Sequence, residues 1–255
     1  MNEPLKTPRH KSIYILPNLF TAAALFAGFY AIIQAINQHF ESATVAIFIA
    51  MFLDAMDGRV ARLTHTQSAF GEQFDSLSDM LSFGVAPALV VYEWALRDLG
   101  KLGWLTAFIY CACAALRLAR FNANIGIIDK RFFQGLPSPA GAALVAGMIW
   151  LATNLGYSGA SLGWLPLGMT LFAGISMVTN ILFWSFKDVH VNRRVPFIML
   201  IAVVAAFILA SAYPPAALFG LFLIYALSGY VIAIGRWIRK ARRNRRIETK
   251  RPDQN

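Results

Sequence analysis

The sequence predicts an all-α integral membrane protein, a polytopic bundle of about eight transmembrane helices with both termini in the cytoplasm. Composition is the first observation behind this. Of 255 residues, 58% are hydrophobic and only 14% charged, and the mean hydropathy is +0.55. Soluble domains carry about a quarter charged residues, so a soluble globule, a disordered chain and a collagen-like fibre are excluded. Second, apolar runs of the roughly 20 residues needed to cross a bilayer recur along the chain. Third, the 23 Lys and Arg residues are spread unevenly among the connecting segments.

Apolar runs bounded by charge, Gly or Pro define the spans in order. The first, Ile13–Ile36, is too long for a cleavable signal peptide and has no small-residue cleavage site after it. Ala43–Leu63 and Phe74–Leu96 follow, and both carry acids. Gly103–Phe121 holds the two cysteines, Cys111 and Cys113. A helix turns residues two apart away from each other, which argues against a disulfide framework or a thiol zinc site and leaves them as packing residues. Pro139–Leu155 and Leu162–Phe186 are rich in Gly and Ala, as close helix approach requires. Val195–Tyr213 and Pro215–Ile238 carry no readable motif and are expected to pack and anchor. His10, His39, His65 and His190 fall in connecting segments and are expected to face solvent.

Orientation follows from the cations. With the amino terminus inside, the inner segments hold 21 of the 23. They are Lys6, Arg9 and Lys11; Arg59 and Arg62; Arg117, Arg120, Lys130 and Arg131; Lys187, Arg193 and Arg194; and nine from Arg236 to Arg251. Only Arg97 and Lys101 fall outside. This is the asymmetry of the positive-inside rule, and an odd number of spans would spoil it. The basic tail reads as a stop-transfer anchor on anionic headgroups. No aromatic platform or recognition module accompanies it, so no nucleic-acid partner is expected.

An ionisable residue inside a span is costly and points to function. Asp54 and Asp57 lie in the second span, and Asp75 and Asp79 in or at the start of the third. On a helix, Asp54, Asp57, Gly58, Ala61 and Arg62 fall within about 140° of arc, and Gly71, Asp75, Ser78, Asp79 and Ser82 within about 100°. Two adjacent helices thus aim four carboxylates into one cleft. Four close anions repel unless cations sit among them, and oxygen-only ligands suit a hard divalent ion, Mg²⁺ or Mn²⁺, rather than zinc. The plainer alternative is that these acids cap helices or pair with Arg59 and Arg62.

The stretch from Asp54-Ala-Met-Asp57-Gly58-Arg-Val-Ala61-Arg62 through Gly71 to Asp75 and Asp79 resembles the signature of the CDP-alcohol phosphotransferases, D-x2-D-G-x2-A-R-x8-G-x3-D-x3-D, at all eight defining positions. The resemblance implies a membrane enzyme that moves a phosphatidyl or related group from a CDP-linked donor to an alcohol and releases CMP. It implies that Asp54, Asp57 and Asp75 are metal ligands for two divalent ions. Asp79 is implied as the general base and a further metal contact. Gly58, Ala61 and Arg62 are implied to line the nucleotide site, with Asn18 and Thr21 of the stretch Ile15-Leu-Pro17-Asn18-Leu-Phe-Thr21 beside it. These residues suit the chemistry: a carboxylate can accept the proton of an attacking hydroxyl, and the planar fork of Arg62 suits phosphate oxygens.

Two further segments bear on the acceptor. Arg117-Leu-Ala-Arg120-Phe-Asn122 and Phe133-Gln-Gly135-Leu-Pro137-Ser138-Pro139-Ala140 resemble the branch of the family that uses L-serine and makes phosphatidylserine. An amino-acid carboxylate needs a cation, which Arg117 or Arg120 can supply. Its ammonium needs acceptors, which Asn122 and the turn at Gly135, Pro137 and Ser138 can offer. Taken alone, the arginines also suit a helix C-terminus and the prolines a turn before a helix.

The resulting expectation is transfer of the phosphatidyl group of CDP-diacylglycerol to L-serine at the cytoplasmic face of the cytoplasmic membrane. The partners are those two substrates, membrane lipids and a second copy of the chain, since the family resemblance suggests a homodimer. Residues 1–12 form a cytoplasmic segment and 13–238 the transmembrane domain, with its catalytic core at about 13–186 and two further spans over 195–238. Residues 239–255 form the basic tail. The rivals are the same chemistry on glycerol-3-phosphate, an inositol phosphate or choline, and a cation transporter. Transport predicts acids in several spans and pseudo-symmetric halves, whereas these cluster in two consecutive spans and no repeat is seen.

Overall fold

The computed structural model describes residues 15–64, 66, 68–123, 132–184 and 211–248. They are overwhelmingly helical. We number the helices α1 (Ile15–Ile36), α2 (Phe40–Leu63), α3 (Ala69–Leu99), α4 (Lys101–Ala123), α5 (Ser138–Asn154), α6 (Leu165–Val178) and α7 (Pro214–Glu248). Four described helices have stretches long and apolar enough to cross a membrane: Leu16–Ile36, Ala69–Leu99, Lys101–Ala123 and Pro214–Arg236. Helix α2 matches them in length but carries five charges, Glu41 at its start and Asp54, Asp57, Arg59 and Arg62 in its final ten residues. Helix α5 has 17 residues and α6 only 14. The seventh expected span, over 195–213, lies almost wholly outside the described residues, as do residues 1–12 and several loop cations.

Helices α1 and α2 form an antiparallel pair, reversed at Asn37-Gln38-His39, where Gln38 takes a positive φ of 63°. Their seam is built from methyl groups: Ala24, Ala27, Ala31 and Ala35 on α1 and Ala43, Ala46 and Ala50 on α2 are all buried. In lipid, where apolar surface gains little by leaving its surroundings, such small residues let backbones approach and collect dispersion contacts. Helix α3 crosses this pair. Ser78 Oγ donates to the Thr21 carbonyl at 3.2 Å and Ser82 Oγ to the Ala24 carbonyl at 3.1 Å. The approach depends on Gly28, where a Cβ would stand 2.6 Å from Ser82 Oγ.

Helix α5 is the axis of the bundle. Twelve of its residues are buried, most of them Ala or Gly, and a helix apolar on every side belongs in an interior. It packs on α2, α6 and α7.

Two features depart from the expected spans. The sixth ends at Val178 instead of reaching Phe186, because Thr179 turns to extended backbone (φ −64°, ψ 157°). The chain then forms β2 (Leu182–Trp184), antiparallel to β1 (Phe132–Gln134), in the register Phe133↔Phe183. The all-α expectation therefore holds apart from this three-residue ribbon. The last helix begins as expected but continues past Ile238 to Glu248, so that much of the basic tail is helical.

Candidate active site

The acids converge from two helices. Asp54 and Asp57 stand near the C-terminal end of α2, and Asp75 nearly two turns inside α3, whose start is capped by Ser68 Oγ accepting from the Gly71 amide at 3.0 Å. One carboxylate oxygen each from Asp54, Asp57 and Asp75 lies within 4.8 Å of the other two. Asp57 is buried, and Asp54 and Asp75 are half-buried. Asp79, one turn further along α3, lies outside that group of three, but its carboxyl adjoins that of Asp54, as Asp75 does. The four acids of the signature therefore do meet.

The donor set fits a metal ion. Asp75 Oδ1 is buried and has no hydrogen-bond donor among the described residues. Such an atom costs stability unless something else satisfies it, and three carboxylate oxygens within 4.8 Å of one another can hold a divalent cation. All offered ligands are oxygen, which favours Mg²⁺ or Mn²⁺ over zinc.

Beside the acids lies a cavity of about 180 Å³, bounded by α1, α2 and the start of α3. Every residue expected at the nucleotide site reaches it: Asn18, Thr21, Gly58, Ala61 and Arg62, together with Asp57 and Asp75. Thr21 Oγ1 donates to Asp57 Oδ2 at 2.7 Å. At Gly58, an added Cβ would meet nothing closer than the Arg62 guanidinium, 3.6 Å from Nη1, so the missing side chain keeps space open beneath that cation. At Gly71, a Cβ would crowd Ser68 Oγ at 3.2 Å and Asn18 Oδ1 at 3.3 Å, so glycine lets α3 begin against α1. Thr66, Ser68 and Glu72, which lie outside the signature positions, also line the cavity. Ser68, a serine just ahead of a helical pattern, was the readable signal among them.

The residues expected to bind the acceptor divide into two groups. Arg117, on α4, faces Asp79 and Asp54 and donates from Nη1 to Ser138 Oγ at 2.7 Å. Its guanidinium also lies 5.6 Å from the centre of the Phe121 ring. Ser138 is fully buried at the start of α5, following Pro137. Arg120 points elsewhere: Nη2 donates to the Val178 carbonyl at 2.8 Å, closing the C-terminus of α6. Asn122 donates to Ser76 Oγ at 3.0 Å, joining α4 to α3. Gly135 (φ +82°) sits so close to the Met177 carbonyl that a Cβ would collide with it, and its amide donates to the Ile181 carbonyl at 2.9 Å. Gly135 and Arg120 thus shape the ribbon and the end of α6, and Arg117 is the arginine turned toward the acids. Tyr225 of α7 lies within electrostatic range of Arg117 and packs on Phe183, ring centres 5.9 Å apart. No local pattern in the last span marks it.

A family model described as CDP-alcohol phosphatidyltransferase matches residues 14–182. Among curated proteins, the chain is 35% identical over 219 residues to the CDP-diacylglycerol--serine O-phosphatidyltransferase of Helicobacter pylori strain J99, covering 86% of this chain and 92% of that protein. It is 34% identical over 212 residues to the protein of the same name from Mycobacterium tuberculosis strain H37Rv, covering 80% of this chain and 74% of that one. A third of that name, from Methanocaldococcus jannaschii, is 45% identical over 108 residues, 42% of this chain and 50% of the relative. The chain belongs to the CDP-alcohol phosphatidyltransferase family.

Proposed function

We propose that this CDP-alcohol phosphatidyltransferase joins CDP-diacylglycerol to L-serine, giving phosphatidylserine and CMP. The observation that carries the reading is the meeting of Asp54, Asp57, Asp75 and Asp79 beside a cavity lined by Thr21, Gly58 and Arg62. Relatives named for serine transfer, similar over most of the chain, support the acceptor.

Asp54, Asp57, Asp75 and Asp79 hold the metal, Mg²⁺ or Mn²⁺, as two ions. Bound there, the metal supplies charge neutralisation on the diphosphate. Arg62 binds phosphate oxygens of the donor by its planar fork, and Gly58 and Ala61 leave room for the nucleotide, with Asn18 and Thr21 at its edge. Asp79 takes the proton of the acceptor hydroxyl as that oxygen bonds to the phosphatidyl phosphorus. The bond from this phosphorus to the bridging oxygen breaks, and CMP leaves. Arg117, turned toward the same acids, receives the acceptor carboxylate. Asn122, Gly135, Pro137 and Ser138 shape that end of the site, and Arg120 braces it through α6.

The chain crosses the cytoplasmic membrane eight times with both termini inside, a topology supported by the 21 cations it gathers on the inner side. The catalytic core spans about residues 13–186, the last two spans and the basic tail anchor it, and the enzyme works as a homodimer.

The test is CMP release by the detergent-solubilised protein from CDP-diacylglycerol with a panel of labelled alcohols. Turnover with serine that EDTA abolishes and Mg²⁺ or Mn²⁺ restores is expected. Turnover with glycerol-3-phosphate, an inositol phosphate or choline, and none with serine, overturns the acceptor assignment.

A further inference from the structure

We propose that Tyr110 is a positioning residue for Asp79, acting through a widened helical turn. Immediately after Asp79, α3 opens into π-helical geometry over Met80–Val85, and the Ala86 amide bonds back five residues to the Leu81 carbonyl. Such turns occur as single insertions in α-helices, often at functional sites. Pro87 gives a local cause. It has no N–H, so the Phe83 carbonyl lacks the donor that an α-helix would offer four residues on.

Tyr110 of α4 supplies that donor. Its hydroxyl reaches the Phe83 carbonyl at 3.0 Å, and both side chains are fully buried. Helix α4 also presses on the turn at Gly84, where a Cβ would stand 3.0 Å from Met80 Cε and 3.3 Å from Ala114 Cβ. On the opposite side, Ser78 and Ser82 tie the same stretch of α3 to the Thr21 and Ala24 carbonyls of α1. Asp79 lies between these ties. An extra residue in the turn rotates the helix before it relative to the helix after it. With Ala86–Val91 locked in the core, the turn sets the direction in which Asp79 approaches Asp54. Tyr110 is not among the residues that line the cavity beside the acids, and its hydroxyl is bonded to the Phe83 carbonyl; it keeps the turn open and thereby aims the base.

The inference rests on the assignment of Asp79 as base, and two variants test it with whichever alcohol the unaltered protein accepts, so that failure with serine is separable. Tyr110→Phe is expected to lower kcat about tenfold to hundredfold, the scale of a misplacement of about 1 Å. KM for CDP-diacylglycerol and Mn²⁺ affinity should stay within about twofold, because uniform binding is untouched. Pro87→Ala supplies the missing amide and lets the turn close to α-helical geometry. It is expected to keep or raise the unfolding temperature while lowering kcat, a combination that a purely structural role for the turn does not produce. Full kcat in Tyr110→Phe overturns the inference. So does a loss of kcat in step with donor KM, Mn²⁺ affinity and thermal stability.

Discussion

Thr21 Oγ1 donates to Asp57 Oδ2 over 2.7 Å, so a residue of the first helix orients a carboxylate of the second. A hydrogen bond of this kind fixes a ligand before the cation arrives. Loss of such a partner typically costs about 10–100-fold in metal affinity or activity. Thr21→Val, close in shape but without the hydroxyl, is therefore expected to shift the Mn²⁺ dependence of CMP release to higher concentration by that factor. A metal titration of turnover measures it.

Asp79 stands outside the closest group of three carboxylates yet adjoins Asp54. Asp79→Asn keeps the shape and removes the proton acceptor. Turnover is expected to fall by about 10²–10⁴, the usual contribution of a positioned base. Mn²⁺ binding, followed by electron paramagnetic resonance, should largely survive through Asp54, Asp57 and Asp75.

Arg117 and Arg120 lie one helical turn apart, and the structure gives them different partners. Arg117→Lys removes the planar fork beside Asp79 and Asp54. A hydrogen bond to a charged group contributes about 1.5–3 kcal/mol, so KM for serine is expected to rise roughly tenfold or more, with little change in KM for the donor. Steady-state kinetics varying each substrate in turn checks this.

Arg120→Ala should behave in the opposite way. It removes the guanidinium that closes α6 at the half-buried Val178 carbonyl, and a net hydrogen bond of this kind contributes about 0.5–1.5 kcal/mol. A lower unfolding temperature in detergent, with KM for serine little changed, is the expected result. A selective rise in that KM would return Arg120 to the acceptor site.

Much of the site was legible because local geometry carries it. The eight signature positions fall on single faces of two consecutive helices, and a period of 3.6 residues is enough to see that they face one cleft. The features that were not legible depend on contacts distant in sequence. The C-terminus of α6 is set by Arg120, 58 residues away, and by pairing of Phe133 with Phe183, so a charge-free run broken there only by the polar pair Thr179-Asn180 gave little warning that helix would become ribbon. The two arginines of Arg117-Leu-Ala-Arg120 look equivalent in a basic helix end, and only the placement of Ser138 and Val178 separates them. The wide turn after Asp79 needed Pro87 and the distant Tyr110 together.

The alanine seam of α1 and α2 makes that pair a caliper. Its jaws are Thr21 and Asp57, its pivot is the reversal at Asn37-Gln38-His39, and its gap is shimmed by methyl groups along the shaft. A bulkier shim at Ala31, near mid-shaft and far from any reacting atom, spreads the jaws and detunes the ion cradle while leaving every ligand in place.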